Sequence, residues 1–282
     1  MAESASAARW REAAPRQSPP ALRERRLKLL IPAAVLLAVI GLWEVVVRIN
    51  GIPHYILPAP SLVARTLVAD LPLLLPSLWF TVKITFGALL LAIAGGVALA
   101  ALFASSRWIE ASLFPIAIAL QVTPIVAIAP LILIYVPSTT AALLICAWIV
   151  AFFPILANTV IGLRSADRNL AELFALYGAS RWQRLRWLLA PSALPYFLAG
   201  LKIAGGLALI GAVVAEFAAG AVGRETGLAS RILEASFRTE IPRMFAALTL
   251  VSLCGIAVFA IFSGLSRWLL GRWHDSELPG ER

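Results

Sequence analysis

Few side chains in this 282-residue chain could do chemistry, and their spacing excludes most kinds of it. Cys146 and Cys254 each lie inside an apolar run, which suits small core residues and not a disulfide framework or a thiolate metal site. His54 and His274 are too far apart to suggest a metal centre. No His/Asp/Glu cluster, nucleophile elbow or pair of carboxylates falls within the apolar stretches, so a membrane enzyme finds little support. Three kinds of residue remain. Glu44, Lys202 and Glu216 are charges inside apolar stretches, the residue type from which an ion relay is built. Gln121, Thr123 and Asn158 are uncharged polar groups at depth, suited to line a solute pathway or to make interhelical hydrogen bonds worth about 0.6 to 2 kcal/mol. The third kind is a polar segment, Asp167 to Pro195, whose pattern suits docking.

These residues must be positioned by elements built for lipid. The composition is 61% apolar and 14% charged, where soluble domains run near half and a quarter. The apolar runs are continuous and not alternating, which predicts helices and not a barrel. Six spans are predicted, at Leu29–Val47, Thr81–Ala104, Ala111–Val136, Thr140–Leu163, Leu194–Ala219 and Phe245–Leu265. The expectation is therefore an all-α polytopic membrane protein of about six transmembrane helices. Residues 1–28 read as a mobile, Arg-rich tail, 29–76 as the first span and an outer connection, 77–266 as the main membrane domain, and 267–282 as a second tail. Pro53, Pro58, Pro60, Pro72 and Pro76 argue against one regular helix over 49–80. Pro115, Pro124 and Pro130 interrupt the third span.

The net charge of +9 does not point to nucleic acid, because the basic residues cluster at the ends of apolar runs. With the N-terminus inside, sixteen Lys and Arg fall on the inner side and seven on the outer. That asymmetry favours both termini in the cytoplasm. Glu44 lies four residues before Arg48, a spacing that explains it as an i,i+4 pair. Glu216 reads either as a gate near the outer end of its span or as a partner of Arg224 or Lys83. Gly95-Gly96 and Gly205-Gly206 suit close helix approach.

Within the coupling segment 167–195, Leu170, Leu173, Phe174 and Tyr177 fall on one face of a helix that Asp167 caps and Gly178 ends. Ser180 and Gln183 have capping-box spacing, opening a second short helix with Trp182, Leu185 and Leu189 on one side. Arg181, Arg184 and Arg186 surround it, Pro191 is expected to stop it, and Pro195 to mark entry to the next span. Two readings stand level on pattern alone. The hairpin either docks into a hydrophobic groove on a partner or lies on lipid headgroups.

Glu172, Gly178 six residues on, and Pro191 after a short basic helix resemble the EAA loop of binding-protein-dependent ABC importer permeases. Leu173 and Phe174 stand where that pattern has two alanines, Leu188 where it has isoleucine and Ala190 where it has leucine. Tyr177-Gly-Ala-Ser-Arg-Trp-Gln183, Pro191-Ser-Ala-Leu-Pro-Tyr196, Gly200-Leu-Lys-Ile-Ala204, Val214-Ala-Glu216 and Ile56-Leu-Pro-Ala-Pro-Ser61 are similar to the nitrate/sulfonate/taurine branch of that family. The resemblance implies a MetI-like (type I) permease fold in the bacterial inner membrane. It implies as partners cytoplasmic ATPase subunits, a periplasmic substrate-binding protein, membrane lipid and a second permease subunit, expected to be another copy of this chain. Nucleic acid is not expected. The chain has no Gly-x4-Gly-Lys-Ser/Thr loop, so ATP and Mg are expected on a separate ATPase and no cofactor on this chain. By resemblance, Glu172, Tyr177, Gly178, Ala179, Ser180, Arg181 and Pro191 serve the ATPase coupling. The solute would be of sulfonate, taurine or nitrate type, or of pyrimidine or riboflavin type. An ion-coupled secondary carrier is the alternative from a different class.

Overall fold

The computed structural model describes the backbone of residues 22–220 and 226–271, with side chains from Leu30 onward. Residues 1–21 of the tail expected at 1–28, most of the tail at 267–282, and His274 and Arg224 lie outside the described residues, while 22–28 are helical. The rest is helical: α1 (Leu22–Ile49), α2 (Pro60–Ala69), α3 (Leu71–Ser105), α4 (Arg107–Val122), α5 (Ile125–Tyr135), α6 (Thr139–Arg164), α7 (Arg168–Leu176), α8 (Arg181–Arg184), α9 (Ala190–Ala219), α10 (Leu228–Phe237) and α11 (Ile241–Leu270). Five of these elements are long and apolar enough to cross a bilayer, counting α8 through α9 as one, and α4 with α5 makes a sixth only if the bent pair is one span.

Several boundaries differ from the sequence reading. α1 is already helical at Leu22, ahead of the expected span at Leu29, and the arginines of that stretch are good helix formers. α3 starts at Leu71, and its first turn absorbs Pro72, whose missing N–H would be unpaired there anyway. Pro60 opens α2 in the same way. The third predicted span is not one helix. Thr123 and Pro124 are both extended, at φ −73°, ψ 124° and φ −64°, ψ 115°, and α4 and α5 meet at a 100° bend. Proline disfavours the helical conformation of the residue before it, and Thr123 Oγ1 donates to Ala119 O at 2.6 Å.

α3, α6 and α9 form the centre. α6 packs along α9 and along α3, and α11 lies against α9, α2 and α10. The seams are lined by small residues, among them the fully buried Ala88, Ala92, Ala147, Ala151, Ala204 and Ala208. In lipid no hydrophobic force drives helices together, so close backbone approach and packing must do it. One member of each predicted glycine pair makes such an approach. A Cβ on Gly96 would meet Ile155 at 2.8 Å and one on Gly205 would meet Phe262 at 2.8 Å, whereas Gly206 faces open space. Gly200 lets α9 touch Pro154 O and Asn158 of α6, at 2.7 and 2.8 Å from a would-be Cβ.

α1 touches this body by one end. Glu44 pairs with Arg48 at 2.5 Å, as its spacing predicts, and also accepts from the Ser61 amide and hydroxyl at 2.9 and 2.7 Å. Trp43 stacks at a tilt on Phe245 of α11, with ring centroids 5.8 Å apart.

Candidate functional site

The segment expected to dock folds as its local signals dictate. Asp167 accepts from the amides of Asn169 and Leu170 and starts α7. At the far end Gly178 has φ +67° and its amide donates to Ala175 O, while the Ala179 amide reaches back to Phe174 O at 2.9 Å. These two bonds are the paired closure of a helix by a left-handed glycine. Ser180 then caps α8. Its hydroxyl accepts from the Gln183 amide and the Gln183 side chain accepts from the Ser180 amide, at 3.2 and 2.8 Å. Glu172, Tyr177, Ser180 and Arg181 are exposed, and Ala179 is half-buried.

Most of the apolar face of α7 lies open: Leu170, Leu173 and Tyr177 are exposed, Tyr177 to 81%, and Phe174 is half-buried. Leu173, Phe174, Tyr177 and Ala179 join Gln183 and Trp187 around a groove of about 390 Å³. Trp187 is a member that the sequence pattern did not single out. The signal for it was its place on the helical turn after Gln183.

Pro191 does not stop the second arm. Leu185 to Leu189 form a π-helical turn, in which the Ala190 amide donates to Leu185 O, and the chain runs on through Pro191 into α9. The wider turn gives the proline ring room against the preceding carbonyls, and the Ser192 hydroxyl donates to Leu188 O at 2.8 Å. The expected hairpin is therefore one exposed helix, α7, hinged at Gly178 to a second arm that is the end of a membrane helix. Leu188 is buried, and Leu185 and Leu189 pack on the main core, which fixes that arm to the bundle.

The polar residues at depth fall into separate places. Gln121 and Thr123 sit at the α4–α5 bend and line a cavity of about 310 Å³ with Ile149, Val150, Pro154 and Leu207. No charged residue lines it. Asn158 lies elsewhere on α6, donating to Pro154 O at 2.8 Å and held against Gly200. Glu216 is 1% exposed. Its carboxylate accepts from Thr81 Oγ1 at 2.8 Å and from the Ala229 amide at 3.0 Å, at the start of α10. Among the described residues it makes no ion pair, with Lys83 or any other cation.

The sequence profile of the binding-protein-dependent transport system inner membrane component family matches residues 92–273. The chain is 36% identical over 248 residues to the riboflavin transport system permease protein RibX of Chloroflexus aurantiacus, covering 87% of this chain and 90% of that protein. It is 34% identical over 250 residues to the formylaminopyrimidine transport permease protein ThiX of Halalkalibacterium halodurans, covering 88% and 97%. The fold is similar to that in a structure of the MetNI methionine ABC transporter in inward-facing conformations, with a TM-score of 0.62 at 17% identity over 71% of this chain and 98% of that one.

Proposed function

Because the chain belongs to the family of inner-membrane components of binding-protein-dependent transport systems, and is the permease subunit of an ABC importer, we propose that it carries a neutral, planar nitrogen heterocycle of the riboflavin or pyrimidine kind. Two copies of the chain would form the pathway, with a periplasmic protein delivering the solute and two cytoplasmic ATPase subunits gripping residues 168–190. Both termini would face the cytoplasm, as the arginine asymmetry favours.

The observation that carries the coupling part is the largely open apolar face of α7 joined at Gly178 to an arm continuous with α9. An ATPase pair that closes on ATP moves whatever is seated in its clefts. A free-standing hairpin would absorb that motion, whereas here the second arm passes it into α9 and so to the helices packed on it. Glu172 and Arg181 offer exposed charge at the rim of the docking face. Pro191 is accommodated by the π turn, so the arm stays continuous with α9.

The substrate class is supported by two observations. RibX and ThiX are named for riboflavin and formylaminopyrimidine, both uncharged ring systems with amide-like edges. The cavity at the α4–α5 bend offers apolar walls with Gln121 and Thr123 as hydrogen-bonding groups and no cation to meet an anion. A sulfonate or nitrate would have to shed its hydration there without a charge in return.

Uptake in proteoliposomes containing this chain, its ATPase and its binding protein tests the reading. Riboflavin or formylaminopyrimidine uptake is expected to exceed that of taurine or nitrate and to stop when the ATPase nucleotide site is destroyed. Uptake by the chain alone would replace the reading by an ion-coupled carrier. Gln121→Leu is expected to lower the uptake rate about tenfold, the worth of one hydrogen bond to a desolvated polar group, with ATPase assembly intact. Unchanged uptake would return Gln121 to a packing role.

A further inference from the structure

At the end of the bundle where α7 joins the spans, a cavity of about 510 Å³ is lined by Arg107, Arg164, Arg168 and Arg184. The one carboxylate there, Glu110, is already paired with Arg164. Among the described residues Arg107, Arg168 and Arg184 make no ion pair. Four arginines around one cavity with a single carboxylate among them make a net positive site that favours an anion.

This basic cavity does not end as a closed bowl. Arg184 and Leu189 also border a neighbouring cavity of about 480 Å³, to which Ala101, Trp182 and Leu185 belong as well. Those last three line a third space of about 440 Å³, walled by Val97, Leu163 and Phe197, with Arg186 the one charged residue on its rim. The three spaces thus adjoin one another through shared wall residues, tracing a path from an arginine cluster, past the amphipathic Trp182, to an apolar groove along α3, α6 and α9.

We infer that this path is a binding site for an anionic glycerophospholipid, its phosphate among Arg107, Arg168 and Arg184 and one acyl chain in the groove beside Val97, Ala101 and Phe197. A free phosphate would fill the basic end and leave the groove empty. An acidic side chain of a soluble partner would do the same, because the groove walls at Val97, Ala101, Leu163 and Phe197 belong to the apolar spans α3, α6 and α9. Only an amphiphile satisfies both ends, and Arg or Lys groups at this level of a bilayer each contribute to binding an anionic headgroup. The lipid would wedge between α7–α8 and the ends of α3 and α6, and so brace the arm that the proposed coupling uses, but its binding does not depend on that function.

Native mass spectrometry tests it on the full-length chain extracted from nanodiscs of equal phosphatidylglycerol and phosphatidylcholine. Phosphatidylglycerol is expected to stay bound through delipidation and phosphatidylcholine to leave. The triple variant R107Q/R168Q/R184Q should weaken phosphatidylglycerol binding about a hundred-fold. Ala101→Trp, which fills the groove and leaves every arginine in place, should also release the lipid, so that loss in both variants with unchanged gel-filtration profiles separates binding from misfolding. Equal retention of the two lipids, displacement of phosphatidylglycerol by millimolar inorganic phosphate, or retention by either variant would overturn the site. Expulsion of the lipid when the ATPase is added would assign the arginines to that partner.

Discussion

Gly178→Val is expected to leave the protein inserted and folded while uptake falls below a tenth of its normal rate and ATP hydrolysis continues. Gly178 has φ +67°, and a Cβ there would meet nothing within 4 Å. The need for glycine is therefore one of backbone conformation alone, with no packing component. An L residue in the left-handed region costs about 1–2 kcal/mol, more when β-branched and less for asparagine. That cost can be escaped only by undoing the closure in which the Gly178 and Ala179 amides hold Ala175 O and Phe174 O, and α7 then loses its fixed angle to the arm. A shift of 1–2 kcal/mol changes a conformational ratio by about five- to thirty-fold. Uptake should thus fall in the order Asn, Ala, Val. Gly178→Pro should be the most severe, since its φ is fixed near −65° and it removes the donor to Ala175 O. Uptake and ATPase rate measured on the same reconstituted preparations decide the matter. Normal uptake by the valine variant would remove Gly178 from the coupling, and equal loss for asparagine and valine would show that the residue's size, not its φ, is what counts.

The features most legible in the sequence are those settled within a few residues. Asp167, Gly178, Ser180 and Gln183 bond to backbone groups at most five residues away, so residue type and spacing suffice to place them. The membrane runs are legible for a different reason, because lipid demands a continuous apolar stretch of fixed length. Their ends are less so, since a basic first turn in α1 and prolines in the first turns of α2 and α3 resemble breaks although both suit a helix start. What depends on distant chain was not readable. Pro191 looks like a stop until the π turn before it relieves the ring, and that turn is held by Leu185 and Leu189 packed on the main core. The arginine cavity draws its four arginines from four elements, α4, α6, α7 and α8. Pro124 marks the place of the 100° bend but not its angle, and the cavity at Gln121 takes its other walls from the distant α6 and α9.

The least legible feature supports the second large effect: Gly227→Ala is expected to destabilise the protein by about 3 kcal/mol, although Gly227 has an ordinary extended backbone at φ −82°, ψ −177°. A Cβ there would lie 2.1 Å from the carboxyl carbon and Oε1 of Glu216, which no small shift relieves. The carboxylate in turn stands where α10 has no side-chain cap of its own. It takes the Ala229 amide at 3.0 Å, and Thr81 Oγ1, donating to it at 2.8 Å, takes the Leu228 amide at 2.9 Å. Two first-turn amides of a buried helix end are thus satisfied by side chains from α9 and α3, and an anion at that end is favoured by the helix dipole. Glu216→Ala should cost a similar amount by leaving the buried Ala229 amide unpaired and the side-chain volume empty, while the Thr81 hydroxyl keeps Ser77 O at 3.2 Å. The two changes strike one contact, so the double variant Glu216→Ala/Gly227→Ala should cost clearly less than the sum of the single ones, by about 1–3 kcal/mol. Thermal unfolding in detergent of the four proteins measures the cycle. Additive losses would mean that Gly227 and Glu216 act independently, and an unaltered melting temperature for Gly227→Ala would mean that the carboxylate does not cap α10 at all.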